Sequence, residues 1–173
     1  MCSLESLRID LKGLEAAETV CHYDLDDHFF EAIGATDVQR GKFHVMVTVR
    51  KSSGMYELLF HIEGTAIVCC SVCLDDVEVP LVDDSVLTAR LGEANGVDGD
   101  TLVVSEADGI LDVSWLIYQT IALCIPIRPV HEEGQCNPEM LRLLGEHQVK
   151  GEQVTDPRWD ALKSLMAEGE EKP

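Results

Sequence analysis

Phe43, Val45, Val47 and Val49 alternate with His44, Met46, Thr48 and Arg50. After Ser52-Ser53-Gly54 the pattern resumes, with Tyr56, Leu58, Phe60 and Ile62 against Glu57, Leu59, His61 and Glu63. A period of two collects the apolar residues on one face of a strand, whereas a helix would scatter them around its axis. Two such runs joined by a short Ser/Gly turn predict an antiparallel hairpin with one buried face. The fold must therefore be organised around a sheet. Gly64 is expected to break the second run before residues 65–68 resume it. Val77, Val79 and Leu81 repeat the alternation around Pro80, whose missing N–H argues for an edge or a bulge. Residues 86–91 read as a further strand.

Residues 92–99 are rich in Gly, Asn and Asp and predict a mobile acidic loop. Asp112 or Ser114 is placed to cap a helix that carries Val113, Leu116, Ile117, Thr120, Ile121 and Cys124 on one stripe, and this long helix should cover the sheet. Pro126 and Pro129 end it and force residues 125–130 into an extended path. Asp156-Pro157 opens a further helix with Trp159, Leu162, Leu165 and Met166 on one stripe, which gives a helical C-terminal region. The class is α+β: an antiparallel β-sheet, open or barrel-like, packed by the long helix. One domain is expected over residues 1–166, with a disordered acidic tail at 167–173.

The chain has 173 residues, 46% of them apolar. At this size a globular chain buries roughly two-thirds of its unfolded surface, so no disulfide stapling is needed. The first six residues show neither a cationic start nor an apolar block, and the most apolar stretch, residues 113–125, is too short to span a bilayer. The expected location is the cytoplasm, where seven cysteines would be reduced, and buried or metal-bound rather than paired in disulfides.

Cys70-Ser71-Val72-Cys73 places two thiols in a turn between strand-like runs, and His131-x4-Cys136 follows after the proline segment. Three thiolates and an imidazole suit zinc, which favours tetrahedral sulfur and nitrogen donors. The expected set is Cys70, Cys73, His131 and Cys136, a knuckle-like structural zinc clip; the alternative is that the cysteines are small buried residues and His131 belongs to a loop. Cys69 should point away from Cys70, because adjacent strand residues face opposite ways. Cys124 falls on the helix stripe and is expected in the core. Redox catalysis is disfavoured, because the residues after Cys73 are strand-like and anionic and carboxylates raise a thiol pKa. Asp24-Leu25-Asp26-Asp27-His28 could supply acids, a base or metal ligands, but reads as a polar turn ahead of Phe29-Phe30. His22, His44, His61 and His147 stand outside any ligand pattern.

Lys+Arg number 13 against Asp+Glu 32, a net charge of −19. From Glu63 to Asp112 the only base is Arg90. Nucleic-acid affinity comes largely from cations displacing condensed counterions, so tight RNA or DNA binding is disfavoured. The only basic candidates for it are Arg40, Lys42, Arg50 and Lys51, which flank the hairpin. The acidic surface reads either as a solvated face or as a docking face for a basic partner, through Asp75, Asp76, Glu78, Asp83 and Asp84.

The order of landmarks resembles the YceD-like family, the large ribosomal RNA subunit accumulation proteins. The residues that carry the resemblance are Ile9-Asp10-Leu11, Asp26-Asp27-His28-Phe29-Phe30, Gly64, Cys70-Ser71-Val72-Cys73-Leu74, residues 125–131 (Ile-Pro-Ile-Arg-Pro-Val-His) and residues 156–163 (Asp-Pro-Arg-Trp-Asp-Ala-Leu-Lys). It extends from about residue 7 to 166. Many relatives have cysteines where this chain has His131 and Cys136, an exchange that keeps a zinc ligand. The resemblance implies a non-catalytic role in ribosome biogenesis, supporting 23S rRNA accumulation. Combined with the charge, it points to a basic ribosomal protein or assembly factor as partner, with no membrane and no DNA, and leaves direct RNA contact open. The competing reading is a metal-dependent or thiol-based enzyme.

Overall fold

The computed structural model describes residues 4–148. Two compact units divide the chain, Met1–Asn137 and Pro138–Pro173. In the first, a turn of 3-10 helix (Leu4–Leu7) leads into β1 (Arg8–Asp10), β2 (Glu18–Leu25) and α1 (Asp27–Ile33). Three long strands follow, β3 (Arg40–Ser52), β4 (Met55–Cys69) and β5 (Asp76–Gly92). The unit is completed by the short strands β6 (Gly96–Asp98), β7 (Thr101–Ser105) and β8 (Ile110–Asp112), and by α2 (Ser114–Cys124). In the second unit the described element is α3 (Pro138–His147).

The hairpin forms as its alternation requires. Ser53 and Gly54 both have positive φ, and Ser52 pairs with Met55, so a two-residue turn of the twist-compatible kind joins β3 and β4. Phe43, Val45, Val47 and Val49 on β3, and Tyr56, Leu58, Phe60 and Ile62 on β4, are all buried. The six-stranded sheet runs β2-β3-β4-β5-β7-β6, antiparallel except for β5 with β7, and β1 pairs separately with β8. It is an open mixed sheet with edges at β2 and β6, not a barrel.

Four sequence expectations are corrected. Gly64 does not break β4. It lies opposite Phe43, and a Cβ there would collide with the Lys42 carbonyl oxygen and with Phe43 atoms 2.6 and 2.7 Å away. The glycine therefore lets the Phe43 ring lie across the strand. Residues 76–92 form one strand rather than two; around Pro80 its ladder is with β4 alone, so that stretch is an edge locally. The acidic loop contains β6, which folds back antiparallel on β7. The long helix is short: α2 has 11 residues.

Val113, Ile117, Tyr118 and Ile121 of the α2 region are buried, so the apolar stripe does face the sheet and packs on β5 and α1. The N-cap is Val113, not Asp112 or Ser114. The Asp112 carboxylate nonetheless accepts the Ser114 N–H at 3.0 Å and satisfies one free amide of the first turn. In α1, Asp26 is the N-cap and accepts from the His28 N–H at 3.1 Å, while Phe29 and Phe30 enter the core beside Phe43. The Asp24–His28 run is thus the end of β2 and a capped helix start. The helix expected after Asp156, and the tail at 167–173, lie outside the described residues. Among the described residues no helix is long and apolar enough to cross a membrane.

Candidate metal centre

β4 ends at Cys69, which is exposed, and the next residue, Cys70, is buried, as strand alternation requires. The turn that follows is tied at both ends: the Cys70 N–H donates to the Asp75 carbonyl at 2.8 Å and the Leu74 N–H to the Cys70 carbonyl at 3.0 Å. Leu74 takes φ +66°, a conformation that L side chains rarely adopt. This tight knuckle aims both Cys70 and Cys73 inward. The proline segment then docks on it, with the Ser71 N–H donating to the Pro129 carbonyl at 2.8 Å. Pro126 and Pro129 keep the chain from α2 extended, and that contact delivers His131 and Cys136 to the two thiols.

The four donor atoms lie within 4.8 Å of one another. Cys70 Sγ is 3.9 Å from Cys136 Sγ, and His131 Nδ1 is 3.3 Å from Cys73 Sγ and 3.9 Å from Cys136 Sγ. Ligands on one tetrahedral zinc, with Zn–S near 2.3 Å and Zn–N near 2.0–2.1 Å, stand about 3.8 Å apart for two sulfurs and about 3.6 Å for sulfur and nitrogen. The cluster therefore has the size of a zinc shell. The far side of the imidazole fixes its tautomer: Nε2 lies 3.0 Å from the Asp76 carbonyl oxygen, which can only accept, so Nε2 carries the hydrogen and Nδ1 turns its lone pair to the sulfurs. All four predicted ligands meet, and the cluster can hold a metal such as zinc.

The electrostatics overturn one expectation. The Cys70 thiol is lowered to about 5, first by the Cys73 backbone N–H and then by those of Val72 and His131, against the opposing effect of burial. The carboxylates after Cys73 do not set its acidity. Cys136 is pushed up to about 11 by burial and then by its neighbouring cysteines, and His131 is raised by its contact with Cys70. One donor is thus a ready thiolate while Cys136 holds its proton until a cation displaces it.

The acidic-face residues do not lie together. Asp76, Glu78 and Asp84 point outward on β5, with Asp76 bound to Arg40 and Asp84 to His61 at 2.7 Å. Asp75 is exposed in the knuckle, where it accepts from the Asn137 side chain at 3.1 Å. Asp83 faces the other way, onto the covered side with Leu81, and its Oδ2 is buried without a hydrogen-bond partner. The Cys124 thiol is raised by burial first and then by Asp83, which places Asp83 beside the C-terminal end of α2. Asp83 leaves the proposed face because the period of two that puts Asp84 outward must put Asp83 inward.

Arg40 and Arg50 stand ten positions apart on β3, roughly 33 Å along a strand, and each is paired with a carboxylate, so the basic candidates form no patch. The sequence reading missed β2 and the juxtaposition of three histidines. His22 stacks on His44 at 5.6 Å between ring centroids, and His61 lies two strands from His22, across Met46. The cross-strand register would have shown this once β2 was recognised. It also missed α3, although Asn137-Pro138-Glu139 is a helix-opening signal.

Residues 58–166 match the sequence profile of the large ribosomal RNA subunit accumulation protein YceD family. The chain belongs to that family. The match takes in Gly64, the knuckle, the proline segment and residues 156–163, but not the N-terminal landmarks at residues 9–11 and 26–30. No curated protein and no solved structure matches the chain. The family's name ties it to accumulation of the large-subunit ribosomal RNA.

Proposed function

We propose that the protein is a non-catalytic ribosome-biogenesis factor of the cytoplasm that supports 23S rRNA accumulation by holding a basic ribosomal protein or assembly factor, on a scaffold pinned by a structural zinc. The observation that carries this reading is the closed donor set. Three sulfurs and one nitrogen would complete the four ligands of a structural zinc, whereas a catalytic zinc keeps one position for water or substrate. The charge supports a protein partner rather than RNA as the first contact, since −19 repels phosphate and attracts a cationic chain.

A deletion strain tests the role. Depleted large-subunit peaks and reduced 23S rRNA, restored by the intact gene, are expected; normal profiles overturn it. The purified protein should retain one defined basic ribosomal protein in low salt and release it in high salt. The second reading, a thiol enzyme, is favoured only by the Cys70 thiolate near 5. Rapid alkylation of Cys70 in the zinc-loaded protein would support it, and protection of Cys70, Cys73 and Cys136 would remove it.

A further inference from the structure

The side of the sheet opposite α1 and α2 is uncovered among the described residues. Cross-strand register lines it in rows: Asp24, His44, Glu63 and Val82; His22, Met46, His61 and Asp84; Val20, Thr48, Leu59 and Val86. An antiparallel sheet with one solvated face normally turns polar residues to water. Here the third row is aliphatic apart from one threonine, and Val82, Val86 and Val20 are 69%, 56% and 45% exposed. Around this strip stand carboxylates: Glu18 and Asp24 on β2, Glu57 and Glu63 on β4, Glu78 and Asp84 on β5. The fixed cations on this face are Arg40, Lys42, Arg50 and Arg90, and Arg40, Arg50 and Arg90 are already paired with acids. Beside the strip lies an open hollow of about 730 Å³ lined by Asp24, Asp26, Lys42, His44, Glu63 and Val82.

We infer that this face is the docking surface for the basic partner, and that it takes a cationic amphipathic segment whose apolar side lies on Val20, Leu59, Val82 and Val86 while its lysines or arginines reach Asp24, Glu63 and Asp84. The inference rests on the proposed function for the partner being a basic protein, and adds where and how it is held. The apolar strip supplies the affinity and the surrounding acids the orientation and capture rate. Asp24 and Asp84 already accept from His44 and His61 at 2.8 and 2.7 Å through Oδ1, so an incoming cation is taken by their second carboxylate oxygens.

The test uses the full zinc-loaded chain with two synthetic peptides of equal length, one alternating lysine and leucine and one of lysine alone, together with purified basic large-subunit ribosomal proteins. The alternating peptide should bind at least about tenfold more tightly than the all-lysine one and shift the amide resonances of residues 20, 59, 82 and 86. Val82→Glu with Val86→Glu, both on exposed positions, should erase that difference while leaving the thermal midpoint and zinc content unchanged. A photo-crosslinker at position 82 should capture the same ribosomal protein that the wild type retains. Equal binding of the two peptides, shifts confined to residues 70–78, or crosslinks at 82 to rRNA, to a second copy or to residues 149–173 overturn the inference. If a ribosomal protein still binds the double variant, the docking face is wrong and the proposed function stands. If the alternating peptide binds this face and no ribosomal protein does, the reverse holds.

Discussion

Cys136 and Cys70 are the same chemical group in one cluster, yet their acidities lie on opposite sides of neutrality, near 11 and near 5. Cys70 receives backbone N–H groups from the knuckle, while Cys136 is desolvated beside a thiolate. Above about pH 5, Cys70 is already deprotonated and needs no proton removed, whereas Cys136 still holds its proton. Zinc uptake should therefore release protons and tighten as pH rises from 6 to 8. Calorimetry in buffers of different ionisation heat, with chelator competition across that range, checks the sign, and a pH-independent affinity would contradict it. Cys136→Ser should cost zinc affinity by more than tenfold and flatten the pH slope. Asp83 carries a separate prediction. Its Oδ2 is buried without a hydrogen-bond partner, as is Ser85 Oγ two residues on, on the side of β5 that also carries Val77, Leu81 and Ala89. Asp83→Val should raise stability by about 1–3 kcal/mol in urea unfolding, because an unsatisfied polar atom is removed and the apolar row is continued.

Among the elements, legibility followed the strength of alternation. β3 and the first half of β4 could be read because each buries every second residue under α1 and α2. β2 was not, because it is an edge whose covered residues Thr19, Cys21 and Tyr23 are only half-buried, so selection for apolarity there is weak. β5 read as fragments because Pro80, Asp83 and Ser85 interrupt its pattern, although its ladder with β4 is continuous. The donor set was readable in full, since ligand chemistry does not depend on burial statistics; what brings the donors together, the bond between Ser71 and Pro129, has no sequence signature. Gly64→Ala tests the close approach of β3 and β4. The added methyl meets the Lys42 carbonyl and Phe43, and should cost about 1–3 kcal/mol, more than an exposed strand glycine would. The His61–Asp84 pair ties β4 to β5. The hydrogen bond to Asp84 raises the His61 pKa above its usual 6.5, with Glu63 contributing. A raised folded-state value means that the pair's stabilisation is complete below about 6.5 and is lost as pH climbs through the folded value. His61→Gln should remove that slope from the thermal midpoint between pH 6 and 8, and an unchanged slope would assign it elsewhere.

At the scale of the whole molecule, the clip and the core are different parts of the fold. The largest fully buried side chains, among them Phe29, Phe30, Phe60, Leu58 and Ile117, lie between the sheet and its helices, and the sheet ladder extends without interruption from β2 to β5. The cluster instead joins the β4–β5 turn to the segment after α2 and closes the chain between Cys70 and Cys136. A classical zinc finger has no core of comparable size and unfolds without its metal. This protein should not. Removing zinc with a chelator under reducing conditions should leave the far-ultraviolet signature of the sheet intact and lower the thermal midpoint. Hydrogen-exchange protection should vanish at Ser71, whose amide holds the proline segment, and persist at Val47 and Phe60. Global loss of protection on chelation would show that the sheet and helices cannot hold the chain without the metal, and the cluster would then be part of the folding core rather than a clip upon it.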